Sequence, residues 1–98
     1  MSMLDTYRNN LLRKREEAAK LNQDLAKEQA KIAPPQQKII SANAAIGRTK
    51  SASTIKSKLN EIERANKAIA DTQKKVGDIQ KKLAQKEKEI AAAKNHFR

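Results

Sequence analysis

The chain has 98 residues, 38% of them hydrophobic, and a net charge of +11. That length allows at most one domain, and the shortage of large aliphatic and aromatic side chains excludes a compact globular core. The lack of cysteine excludes disulfides and thiolate metal sites. No apolar run approaches the ~20 residues of a membrane span and no secretion signal is visible, so we expect a cytoplasmic protein without membrane contact. Helix-forming residues dominate, which predicts long helices or a coiled coil.

The first half of the chain carries an apolar residue at every seventh position. This series consists of Leu4, Leu11, Ala18, Leu25, Ile32, Ile39 and Ile46. A repeat of seven sustained over this length is typical of supercoiled helices. Pro34 and Pro35 lie inside it, and proline removes an amide donor and disfavours helical geometry in the preceding residue. Because the spacing continues across the prolines, we expect one kinked or briefly interrupted arm. The alternative is a chain reversal at the prolines that makes a three-helix bundle.

The spacing changes once, in the stretch IGRTKSASTIKSKL, where Ile46 and Ile55 are nine residues apart. Gly47 is the residue that best ends a helix there. Ser51 and Ser53 can cap the start of a new helix. The sequence therefore predicts a turn over residues 47–53.

A second apolar series follows the turn at the same spacing: Ile55, Ile62, Ile69, Val76, Leu83, Ile90 and Phe97. If the chain folds back at the turn, residues whose numbers sum to 101 face each other, so each member of one series meets a member of the other. By the same sum, Ala42 faces Leu59 and Lys14 faces Glu87 in the alternate layers. The sequence predicts an all-α fold for residues 1–98, an antiparallel two-helix coiled-coil hairpin. We expect its arms at about 3–46 and 54–97, with a kink near Pro34 and Pro35.

Further apolar residues recur beside the line of contact between the arms. On the first arm they form a set, called here the outer stripe, of Leu12, Ala19, Ala26, Ala33 and Ile40. On the second arm they are Ala65, Thr72, Ile79 and Ala93. Because the alternate layers of the hairpin are polar, we predict that two hairpins pack through these stripes into a four-helix dimer. The alternative is that the alanines only reflect helix propensity.

No catalytic or cofactor site is predicted. His96 is the only histidine, and Gly47 and Gly77 are the only glycines, so there is no glycine-rich phosphate loop. The carboxylates are interleaved with Lys and Arg, as on a solvated helix face, and do not form a set of metal ligands. We therefore expect no enzymatic activity, no cofactor and no metal.

The turn is strongly basic, since no acidic residue occurs between Gln29 and Asn60. Four cations around it, called here the basic tip, are Arg48, Lys50, Lys56 and Lys58. Hydroxyls and the amides of a helix start also suit an anion. Without aromatic residues, base stacking is excluded, so a nucleic acid or ribosome would be held through backbone phosphates. Nucleic-acid binding is thus an alternative function, and a merely solvated basic loop is the simpler interpretation.

The segments RTKSASTIKSKLNEIERANK and EKEIAAAK are similar to the coiled-coil regions that precede effector domains in some bacterial proteins, above all those with a Toll/interleukin-1 receptor (TIR) domain. In such proteins the coiled coil resembles an oligomerising arm, and the TIR domain signals or consumes NAD. No alternating strand pattern is present here, so the resemblance implies the arm without the enzyme. We expect an N-terminal fragment of a longer protein, with a C-terminal effector or signalling domain after Arg98, whose assembly this homo-oligomeric module supports.

Overall fold

The computed structural model describes residues 2–95 and consists of three α-helices. Helix α1 spans Met3–Gln29, α2 spans Ala33–Arg48 and α3 spans Ala52–Asn95. The described residues contain no β-strand, so the predicted all-α class is confirmed. None of these helices combines the length and the apolar character required to cross a membrane. The chain divides into two compact units, the first from residues 2–27 with 76–95 and the second from residues 28–75.

In the first unit, α1 lies against the C-terminal half of α3. Ion pairs join Lys14 to Glu89 at 3.9 Å and Glu17 to Lys86. Because the later residue of α1 pairs with the earlier residue of α3, these two segments run antiparallel. Leu83 is 8% exposed and is the most deeply placed apolar side chain described in this unit. Further aliphatic residues of this unit are half-buried: Leu11, Ala18, Leu21, Leu25, Val76, Ile79, Ile90 and Ala93.

In the second unit, α2 lies against the N-terminal half of α3. Ala42 and Ala65 are 2% and 5% exposed, and Thr72 is 8% exposed. Small side chains at these positions allow two helix backbones to approach closely, and they bury little apolar surface. The larger apolar residues of the two series flank it and are half-buried: Ile32, Ile39, Ile46, Ile55, Ile62 and Ile69.

Every described member of the two seven-residue series is at least half-buried except Leu4, which is 46% exposed. Phe97, the residue expected opposite Leu4, lies outside the described residues.

On α3 the alternate layers were predicted at Leu59 and at every seventh residue after it. This prediction is wrong by one residue. Leu59, expected to face Ala42, is 54% exposed. The residues turned inward instead lie three positions after each member of the series: Lys58, Ala65, Thr72, Ile79, Lys86 and Ala93. This choice buries more apolar surface than the neighbouring set would, because that set holds one leucine followed only by polar and charged residues. The second-arm set predicted beside the line of contact therefore lines the helix contact itself: Ala65, Thr72, Ile79 and Ala93.

The prolines separate two helices. Helix α1 ends at Gln29, and the amides of Lys31 and Ile32 bond to carbonyls three residues earlier, at 3.0 and 3.2 Å. Helix α2 then begins at Ala33, with its prolines in the first turn. A first-turn amide has no partner within its own helix, so proline loses no hydrogen bond there. Ile32 keeps right-handed helical angles, with φ −81° and ψ −38°. The predicted arm of 3–46 is thus interrupted at residues 30–32.

The predicted turn over residues 47–53 is too long. Gly47 lies within α2 and has no positive φ, so the expectation that it ends the helix is wrong. The helix continues to Arg48, and Thr49 leaves it in an extended conformation, with φ −117° and ψ 150°. An extended exit needs no left-handed residue, so the glycine is not used as a stop.

Ser51 starts α3. Its hydroxyl accepts a hydrogen bond from the amide of Thr54 at 3.3 Å, and its carbonyl accepts one from the amide of Ile55 at 3.0 Å. The amide of Ser51 in turn donates to the hydroxyl of Thr49 at 3.1 Å. A serine cap of this kind allows the new helix to begin with only three residues between it and the previous one.

We predict that Ser51→Ala lowers the free energy of unfolding by about 1 kcal/mol, because an amide of the first turn of α3 loses its acceptor. Urea unfolding followed by circular dichroism measures the change. Ser57→Ala is the matched control, since Ser57 is exposed within the same helix and alanine has the higher helix propensity. Equal stability of the two variants would contradict the role of Ser51 as a cap.

Candidate interaction surfaces

The outer stripe is exposed to solvent. In the first unit Leu12 is 56% exposed, and Ala19 and Ala26 are exposed with it. In the second unit Ile40 is 61% exposed, and Ala33 is exposed at the start of α2. Both large members of the stripe are therefore more than half exposed to solvent.

The basic tip is brought together around the short connection between α2 and α3. Arg48, Lys50 and Lys56 are exposed. Lys58 is half-buried, and its ammonium lies 3.4 Å from a carboxylate oxygen of Glu61. The tip therefore presents three exposed cations and a fourth that is already paired.

A cluster of four charged residues, called here the ion cluster, joins α1 and α3 in the first unit. The ammonium of Lys86 donates to Glu17 and lies 3.4 Å from Glu89, and Glu89 also pairs with Lys14. Glu17, Lys86 and Glu89 border an open groove that Leu21 also lines. The cluster holds two cations and two carboxylates, so its charges compensate each other.

These contacts shift two pKa values. The hydrogen bond from Lys86 holds the pKa of Glu17 below its ordinary value of 4.5, against the opposing effect of partial desolvation. The same hydrogen bond, helped by Glu89, raises the pKa of Lys86 above 10.5. Both groups remain partly exposed, so solvent weakens their attraction.

Glu28 forms a second charged contact, at the start of the second unit. Its Oε1 accepts a hydrogen bond from Lys31 at 2.9 Å, which lowers the pKa of Glu28 below 4.5, with a smaller effect of Lys75. Its Oε2 is shielded from solvent and has no hydrogen-bond partner among the described residues. Because the hydrogen bond spans only the last turn of α1 and the residues after it, it stabilises the interruption before α2.

The described residues hold no group of three His, Cys, Asp or Glu side chains placed to bind a metal ion. His96 lies outside those residues. The clustered carboxylates described above each face an ammonium group, and this arrangement is typical of a charged helix contact.

The seven-residue spacing predicts two features of these surfaces incorrectly. It placed Lys14 opposite Glu87, whereas Lys14 pairs with Glu89, because long side chains reach beyond their own layer. It also placed Leu59 inside, although the exposed side of α3 carries that residue. The sequence could have indicated that Leu59 is exposed, because the set that begins at Lys58 contains more apolar residues than the set that begins at Leu59.

Comparisons with known proteins give no relative for this chain. No family model matches it, and no curated protein or solved structure proves similar. The similarity to regions that precede TIR domains stays a prediction from the sequence. The surfaces of the chain therefore carry the functional proposal.

We predict that acidification from about pH 7 to about pH 3 lowers the thermal stability of the helices, because the contribution of a carboxylate with a lowered pKa is lost on protonation. For Glu17 this contribution is present above 4.5 and disappears as the pH falls through the lower folded-state pKa. The contribution of Lys86 has the opposite sign: it is present below 10.5 and is lost as the pH rises through the raised pKa.

Glu17→Gln should melt at a lower temperature than the parent at neutral pH and should lose less stability on acidification. Glu16→Gln is the control, because Glu16 is exposed and is not part of the ion cluster. Melting curves by circular dichroism at several pH values measure both effects. An acid-induced loss in Glu17→Gln as large as that of the parent would show that the ion cluster does not stabilise the fold.

Proposed function

We propose that this chain is a non-catalytic coiled-coil module that associates with copies of itself. Its helices form an antiparallel two-helix hairpin, and two hairpins form a four-helix dimer in the cytoplasm. The observation that supports this most directly is the exposure of Leu12 and Ile40, 56% and 61%, on the outer stripe. A second helix pair of the same kind presents the small and apolar side chains that would cover them.

The thin interior also favours association. Among the described residues, Ala42, Ala65 and Leu83 are the apolar side chains less than a tenth exposed, and two of these are alanines. Full burial of one leucine or isoleucine contributes ~1.5–3 kcal/mol. Covering Leu12 and Ile40 in both copies would therefore add appreciably to a fold whose own core is small.

The biological role in this proposal is assembly. A dimeric module raises the effective concentration of any domain joined to it, without any contact between those domains. The similarity of RTKSASTIKSKLNEIERANK to regions that precede TIR domains suggests a bacterial effector or signalling domain as the attached partner. The module would contribute protein–protein interaction and no chemistry.

We predict that the chain is dimeric at micromolar concentrations and dissociates on dilution. The double variant Leu12→Gln, Ile40→Gln should be monomeric, should melt at a lower temperature than the parent, and should keep its helicity well below that temperature, because glutamine keeps helix propensity and removes the apolar contact. Sedimentation equilibrium gives the mass, and circular dichroism gives the helicity.

Ala68→Gln is the control for this experiment, since Ala68 is exposed on α3, is not part of the outer stripe and lines a pocket with Arg64. It should dimerise like the parent. A parent chain that stays monomeric at every concentration would refute self-association.

The basic tip supports a second candidate, a hairpin that binds nucleic acid through phosphates. Its supporting observation is the exposure of Arg48, Lys50 and Lys56. Two facts count against it: Lys58 is paired with Glu61, and the amide of Thr54 is already bonded to Ser51. Three exposed cations without an aromatic neighbour give weak, salt-dependent binding.

If the tip has this function, the chain should retard a DNA or RNA duplex in a gel at low salt. The affinity should fall steeply with added salt, because binding releases counterions. Replacing the four residues of the basic tip by glutamine should abolish retardation. The control replaces four exposed lysines of the first unit by glutamine, which changes the net charge equally: Lys20, Lys27, Lys81 and Lys88. Equal loss in both variants would show that binding is not localised at the tip.

A further inference from the structure

Two large apolar side chains of the second unit are mostly exposed. Ile40 on α2 is 61% exposed and Leu59 on α3 is 54% exposed. Leu59 is not part of the outer stripe, so it adds a contribution from α3 to the exposed apolar surface.

Ile40 and Leu59 lie on the same side of the helix pair. One edge of the pair is marked by a groove that Lys38, Ser41, Lys58 and Glu61 line together. Two residues along a helix correspond to a rotation of about 200°. Ile40, two residues after Lys38, and Leu59, two residues before Glu61, therefore both lie at the edge opposite the groove.

Opposite charges flank Leu59 along α3. Lys56 precedes it by three residues and Glu63 follows it by four, so all three share one face of the helix. Both charged side chains are exposed, and neither forms an ion pair with another described residue. At the groove edge, by contrast, Lys58 and Glu61 are paired with each other.

We propose that this face, called here the Leu59 face and made of Ile40, Lys56, Leu59 and Glu63, binds the same face of a second copy. The two α3 helices pack antiparallel there, so that Lys56 of each copy meets Glu63 of the other and Leu59 meets Leu59. The inference rests on the proposed self-association and specifies its place and orientation: the contact lies in the second unit, so of the two large residues of the outer stripe only Ile40 takes part in it.

Charge complementarity identifies the occupant. A sequence that runs from positive through apolar to negative is complementary to itself when the second copy is reversed, as a two-fold interface requires. A parallel arrangement would place Lys56 against Lys56 and Glu63 against Glu63, which disfavours it. A uniformly acidic partner such as nucleic acid would be repelled by Glu63. The neighbouring side chains Gln36 and Asn43 on α2 are uncharged and add no repulsion.

Charge reversal tests the pairing. Lys56→Glu and Glu63→Lys should each raise the dimer dissociation constant by about tenfold or more, because each creates two like-charge contacts in a two-fold dimer. The double variant Lys56→Glu, Glu63→Lys should restore dimerisation, since the reversed pairs are again complementary. Arg64→Glu is the control for Lys56→Glu: it changes the charge by the same amount, and Arg64 lines a pocket with Lys38 and Glu61 on the other edge. Sedimentation equilibrium gives each constant, and melting curves show whether the monomers remain folded.

Orientation is tested with single thiols, since the chain has no cysteine. Leu59→Cys lies near the proposed two-fold axis, so a short bis-maleimide reagent should link two copies efficiently. Ser57→Cys, exposed two residues away and turned to the other side of α3, should link much less. Both variants are compared at a concentration at which the parent is dimeric.

The outcomes separate this inference from the broader proposal. A parent chain that is monomeric throughout overturns both. A dimeric parent whose dissociation constant is unchanged by Lys56→Glu and Glu63→Lys leaves self-association intact and overturns the Leu59 face. Failure of the double variant to recover, with folded monomers, overturns the antiparallel orientation. Equally efficient cross-linking of the Ser57→Cys and Leu59→Cys variants overturns it as well.

Discussion

Burial of one narrow apolar stripe along each helix is the interaction on which this fold depends. In each unit the helices bury apolar side chains at spacings of three and four residues, and most of these remain half-buried. The most enclosed positions are small, as at Ala42 and Ala65. Small residues favour close helix approach, but they remove little apolar area from water. The contact is therefore well defined in register and modest in stabilising free energy.

The sequence predicts this register only in part. The two seven-residue series, one containing Ile32 and the other Leu83, could be recognised because apolar residues occupy every seventh position. A shift of one residue would expose all of these side chains. The residues that fill the alternate layers of α3 were harder to predict. The choice between the set beginning at Lys58 and the set beginning at Leu59 depends on how much apolar surface each set buries along the whole helix. A local pattern favours the leucine, whereas the apolar residues further along the helix decide the outcome. The predicted helix end at Gly47 is wrong because the helix leaves through an extended residue, Thr49. The next helix begins where Ser51 caps it, which a glycine in the preceding helix does not indicate.

Charge is distributed so that different edges of the helix pairs have different properties. In the first unit Glu17 and Lys86 neutralise each other across the helix contact, and in the second unit Lys58 and Glu61 do so along one helix. Charges satisfied within the chain give little specificity for a partner. Lys56, with no ion pair among the described residues, lies on the same helix face as the exposed Leu59. Such an edge, apolar at its centre and bearing both signs of charge, has the composition expected of a specific protein contact rather than a polyanion site.

Weak interior packing and exposed apolar groups are two aspects of one constraint. A helix pair that encloses few large side chains retains a small free energy of unfolding, so a contribution of a few kcal/mol from a second copy is a large fraction of the total. Association that stabilises the folded state makes its population depend on protein concentration. In the proposed dimer, folding and assembly are therefore coupled: the helices become fully stable only when a second copy covers Ile40 and Leu59. A domain attached to such a module would be brought together with its counterpart only above the concentration at which the module itself is ordered, which gives assembly a threshold without any additional regulatory site.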